Sequence, residues 1–84
     1  MPHKYLSLAV TDIKQHYATT LLRDEQAPEI VISGGKIEIT SEVFSDLDIT
    51  RIATIALHYD LTWAICVIDG LPRLLMAQIR RNVR

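Results

Sequence analysis

Residues 29–40 read Glu29-Ile30-Val31-Ile32-Ser33-Gly34-Gly35-Lys36-Ile37-Glu38-Ile39-Thr40, two runs rich in β-branched side chains on either side of a glycine pair. Both central positions of a two-residue hairpin turn require positive φ, which glycine adopts without steric cost. The stretch is therefore predicted as a β-hairpin. Pairing across its turn sets Ser33 against Lys36, Ile32 against Ile37 and Ile30 against Ile39, because side chains alternate between the two faces of a strand. Ile30, Ile32, Ile37 and Ile39 then form a buried face, and Val31, Ser33, Lys36 and Glu38 a mostly wet one.

On the N-terminal side of this hairpin, Arg23 to Pro28 is polar and ends in proline, as a connecting loop does. Before it, Tyr5 to Leu22 carries Leu6, Val10, Ile13, Tyr17 and Leu21 at helical spacing, with Ala9 and Ala18 beside them. A strand over Tyr5 to Val10, with Thr11 capping a shorter helix, is the competing reading. Its β-branched content is too low to favour it.

On the C-terminal side, Ser45, Asp46 and Asp48 are good helix caps, and Ser45 followed three residues later by Asp48 approximates a capping box. The helix they open runs to about Tyr59. Ile49, Ile52, Ala53, Ala56 and Leu57 form its core stripe, widened by Ile55 and Tyr59, so this helix is expected to be more buried than the first. Thr62 to Ile68 is apolar on both alternating faces and reads as an interior strand covered on both sides. Asp69-Gly70 signals a turn. The segment after it is a returning strand, or else a helix with Leu71, Leu75, Ile79 and Val83 on one face; the short gap after the turn favours the strand. The expected fold is α+β, in the order α-β-β-α-β-β, with a small antiparallel or mixed sheet and two helices packed on one face; α-β-β-α-β-α is the alternative. Both helices carry a His-Tyr pair (His16-Tyr17, His58-Tyr59), but the intervals from those pairs to the following strands differ, which reads as coincidence rather than an internal repeat.

The chain has 84 residues, of which 49% are hydrophobic. That length accommodates one domain, spanning 1–84, with a thin core. Cys66 is the only cysteine, so no intramolecular disulfide reinforces that core, and self-association, as a homodimer or larger homo-oligomer, is the expected aid to stability. No run approaches the ~18 apolar residues of a membrane-spanning helix, and Met1-Pro2-His3-Lys4 opens no apolar run of the signal-peptide kind. The expected location is the cytoplasm, with no membrane partner.

Net charge is −1, but it is segregated: seven acidic residues between Asp24 and Asp48 stand against Lys36 alone, whereas Gly70 to Arg84 holds four arginines and no acid. Such a split gives either charge pairing within the fold or two oppositely charged faces.

Catalytic and metal-binding patterns are missing at the sequence level. His3, His16 and His58 do not stand at ligand spacing with Cys66 or with one another. Asp12 and His16 lie one helical turn apart, where a surface hydrogen bond is the expected arrangement, and His58 is placed to meet the negative end of the second helix. Cys66 sits mid-strand in an apolar run, where a thiol acts as a small hydrophobe. Ser33-Gly34-Gly35-Lys36 resembles a phosphate-binding loop only superficially, because two strands flank it where a strand and a helix are required. Neither catalytic residues nor a cofactor nor a metal is expected, and the chain is read as not an enzyme.

Three functions remain, in order of preference. The first is a non-enzymatic protein-binding module that also self-associates, of the adaptor or stoichiometric-inhibitor type that phages and mobile elements carry. Exposed strand edges would serve it, since they are unpaired rows of hydrogen-bonding groups. The second is weak nucleic-acid binding by phosphate contacts from Arg73, Arg80, Arg81 and Arg84, which the acidic middle and the shortage of free aromatics disfavour. The third is a small enzyme whose site forms across a subunit interface around Asp12 and His16.

Overall fold

A computed structural model describes residues 4–20 and 27–79. Helix α1 covers Lys4–Thr20, strands β1 and β2 cover Glu29–Ser33 and Lys36–Thr40, helix α2 covers Asp46–His58, and strands β3 and β4 cover Leu61–Ile68 and Leu71–Gln78. The order is the predicted α-β-β-α-β-β, and the segment after Asp69-Gly70 is a strand. The four strands form one antiparallel sheet in the order β1-β2-β4-β3. The two αββ units thus meet through their second strands.

Both hairpin turns rest on backbone that ordinary side chains resist. Gly34 and Gly35 have φ of +60° and +76°, and Asp69 and Gly70 have +53° and +80°, the left-handed pair that lets a two-residue turn follow the twist of its strands. The β1–β2 register sets Ile30 against Ile39 and Ile32 against Ile37, as expected.

Alternation sends Ile37 and Ile39 of β2, with Leu74 and Met76 of β4, to the face on which both helices lie. There they meet Leu6, Ala9, Ile13 and Tyr17 of α1, Ile52, Ile55 and Ala56 of α2, and Leu61 of β3. α1 rests on β1 and β2 and α2 on β3, while the helices also touch each other. Two sequence expectations for α2 fail here. α1 carries the longer buried stripe, and Leu57 is 84% exposed, because it lies about 140° round the helix from Ile52, outside the arc that Ile52, Ile55 and Ala56 define.

β3 is not the doubly covered interior strand that its composition suggests; it is an edge strand, and among the described residues no layer covers the second face of the sheet. Continuous apolar character marks a strand buried on both faces only where both faces have something to meet. The interior position belongs to β4 instead. That strand tolerates Pro72 because β2 pairs with it only from Arg73 onward, and the Pro72 carbonyl accepts from the Ser41 N–H at 3.4 Å just past the end of β2. The missing proline N–H therefore falls where no ladder bond is required.

Candidate functional site

Three regions hold side chains that could do more than fold the chain: the seam between the helices, a groove beside it, and the β3 side of the sheet.

The seam is polar. Ser45 caps α2 by accepting the Asp48 N–H on its hydroxyl, while the Asp48 carboxylate accepts the Ser45 N–H, both at 3.1 Å, which completes the capping box anticipated from the sequence. The other oxygen of that carboxylate lies 2.8 Å from His16 Nε2. His16 is only 9% exposed, so Asp48 serves both as the cap of one helix and as the anchor of a buried imidazole on the other. One turn earlier on α1, Asp12 accepts the Tyr59 hydroxyl at 2.8 Å. The expected Asp12–His16 surface hydrogen bond is thus replaced by two cross-helix bonds, each to a different residue at the opposite ends of α2.

These contacts shape the acidities. Burial pushes the Asp48 carboxyl up, but hydrogen bonds from His16 and from the backbone and hydroxyl of Ser45 outweigh it and leave the group below the usual aspartate range. Burial, reinforced by the Asp48 charge, raises the Tyr17 phenol well above its ordinary value, and the hydrogen bond to Asp12 raises that of Tyr59. Both tyrosines stay protonated at physiological pH. The Tyr17 hydroxyl is buried without a hydrogen-bond partner. A neutral, buried phenol is a poor nucleophile. The seam therefore reads as a structural clasp, whose imidazole–carboxylate pair has no activated nucleophile beside it among the described residues.

A groove of about 660 Å³ opens where the end of α1 approaches Pro28, the 41–45 segment and the start of α2. Glu29, Glu42 and Asp48 line it, and no lysine or arginine does among the described residues. Val43, Leu47 and Leu71 supply an apolar side, and all three are exposed. No group of three or more His, Cys, Asp or Glu side chains among the described residues could hold a metal ion.

The third region is the sheet itself. Its uncovered face presents Val31 of β1, Glu38 and Thr40 of β2, Arg73, Leu75 and Ala77 of β4, and Thr62, Ala64, Cys66 and Ile68 of β3. Arg73 stands in the register between Thr40 and Cys66, and its Nη1 lies 3.6 Å from Glu38 Oε1. Its Nε is buried without a partner. The first of the four arginines singled out as phosphate contacts is therefore laid along the sheet beside a carboxylate; Arg80, Arg81 and Arg84 lie outside the described residues. Cys66 is a free, half-buried thiol on this face.

At the rim of the face runs the β3 edge. Thr62, Ala64, Cys66 and Ile68 belong to the set that bonds β4, a pattern that starts at the two-residue turn and ends with the Ile79 N–H donating to the Asp60 carbonyl at 3.3 Å. Trp63, Ile65 and Val67 consequently turn their backbone N–H and C=O groups away from the sheet. Their side chains lie on the helix-bearing side, yet Ile65 is 41% and Val67 69% exposed. Sequence reasoning missed this edge, since period-2 alternation reports which face a residue occupies and not which strand lies beside it.

Set against known protein families, curated proteins and solved structures, the chain matches none of them.

Proposed function

We propose that this chain is a non-enzymatic protein-binding module, of the adaptor or stoichiometric-inhibitor kind, that engages its partner through the bare side of its sheet. The observation that carries this reading is β3: an edge strand of eight residues, Leu61–Ile68, without a charge or a proline. Monomeric proteins protect such edges with short strands, charges, proline or a covering loop, because an open row of N–H and C=O groups recruits another strand. The opposite edge has those protections. β1 is five residues long, is preceded by Pro28 and begins with Glu29.

The surface around β3 points the same way. At the tip of the second hairpin Val67 is exposed on the helix-bearing side and Ile68 and Leu71 on the uncovered side, and Leu71 shares the groove wall with Val43 and Leu47. Ile68 and Leu71 stand opposite each other in the register, and exposed apolar side chains grouped in this way mark interaction surfaces. The pairing of Arg73 with Glu38 removes one of the free cations on which nucleic-acid binding would rely.

The test is the mass of the complex that the tagged full chain forms in extract of its native host. The wild type elutes above the mass of the free chain, and both Val67→Lys at the edge and Leu75→Lys on the uncovered face shift it back. A wild type that elutes at the mass of the free chain in extract contradicts the proposal.

A further inference from the structure

We infer, building on the protein-binding reading above, that the occupant of the β3 edge is β3 of a second copy of this chain, paired antiparallel about a two-fold axis close to Ile65. The dimer would then contain one continuous eight-stranded sheet with all four helices on one side.

Three observations select this occupant. The first is charge. In an isologous pairing every residue near the axis meets itself or a near neighbour, so any charge on the strand would face its own kind. Leu61–Ile68 carries none, whereas the β1 edge would bring Glu29 of one copy towards the other. The second is the direction of the free backbone groups. Leu61 shares the outward parity but is buried at 4% exposure, so Trp63, Ile65 and Val67 are the residues that present N–H and C=O groups along the open edge, and Ile65 is the middle member of those three. An antiparallel partner centred there matches Ile65 with Ile65 and Trp63 with Val67, satisfying each outward group.

The third is the side chains that flank the seam. Ile65 and Val67 are exposed on the helix-bearing side, and Ala64 and Ile68 on the uncovered side. Pairing two such strands brings apolar side chains together across both faces of the joined sheet, so the backbone bonds are reinforced by burial on either side. A heterologous strand would gain the same backbone bonds. It would lack the guarantee that an uncharged apolar edge meets another of matching length, which the second copy supplies by symmetry.

The test is light scattering on the purified full chain across the micromolar range, at low and high salt. The wild type is expected at twice the 9.5 kDa chain mass, undiminished by salt because no ion pair holds the seam. Val67→Lys, a change at an exposed position, puts a charge into an otherwise uncharged seam where pairing would desolvate it, and is expected to give the monomer mass with an unchanged far-ultraviolet spectrum. Ile65→Lys should do the same, while Val31→Lys on β1 should leave the dimer intact. A wild type that is monomeric throughout overturns the second copy as occupant, and the extract experiment above still decides whether some other protein binds. A dimer that survives Val67→Lys and Ile65→Lys but is lost in Leu75→Lys overturns the edge pairing while leaving self-association through the uncovered face.

Discussion

Asp48 ties the start of one helix to the other. It closes the capping box with Ser45 and holds the buried His16, so its loss removes a cap and strands an imbalance in the seam at the same time. Replacing Ser45 with Ala, which removes only the hydroxyl, should cost about 1 kcal/mol. Asp48→Ala should cost more, about 2–3 kcal/mol, because His16 is then buried without its acceptor. Urea midpoints of the two variants check the ranking. The same carboxylate sets an acid limb. Its folded-state pKa lies below the unfolded value, about 3.9 for aspartate, so its stabilising contribution is complete above that value and fades as pH falls through the folded-state one. Asp48→Asn should flatten stability against pH in that window, and an unchanged acid limb would show that the carboxylate is not held as described. Tyr17 makes the opposite case. Its hydroxyl has no partner, so Tyr17→Phe should leave stability equal or raise it by up to about 1 kcal/mol; a clear loss in thermal midpoint would reveal a partner for that oxygen.

The elements were largely readable because their signals are local. Gly34-Gly35 and Asp69-Gly70 announce hairpins through the positive φ they permit, and Ser45 with Asp48 announces the start of α2 three residues apart. Gly70→Ala tests the second turn: with φ of +80° it should cost about 1–2 kcal/mol, although a Cβ at that position would meet nothing within 4 Å. A neutral result in thermal unfolding would mean that the turn relaxes. The seam, in contrast, was not readable. His16 and Asp48 are 32 residues apart and Asp12 and Tyr59 are 47 apart, and nothing in the local pattern of either helix specifies how they are rotated against each other. For β3 the local signal misled. An apolar strand on both faces resembles an interior strand, and what separates it from an unprotected edge is the strand that lies beside it.

Among the described residues, two helices cover one face of a four-stranded sheet, and no element covers the other face or the long β3 edge. A domain of this size has a small margin over its conformational entropy, so apolar surface left bare in the monomer is surface whose burial by a partner stabilises the fold by mass action. The thermal midpoint should accordingly rise with protein concentration for the wild type and be insensitive to it for Val67→Lys. Among the polar residues, the sequence points to Asp12, His16 and the arginines. The first two are absorbed in the helix seam and Arg73 in a pair with Glu38. The surface that stands out is defined by what neighbours it lacks, a property of the assembled sheet.

Amide hydrogen exchange at β3, followed residue by residue by nuclear magnetic resonance as protein concentration is raised, tests the role of that edge most directly. Pairing predicts that the outward amides of Trp63, Ile65 and Val67 become as slow as the inward amides of Ala64 and Cys66. Outward amides that exchange freely at every concentration, while the inward ones stay protected, would contradict it.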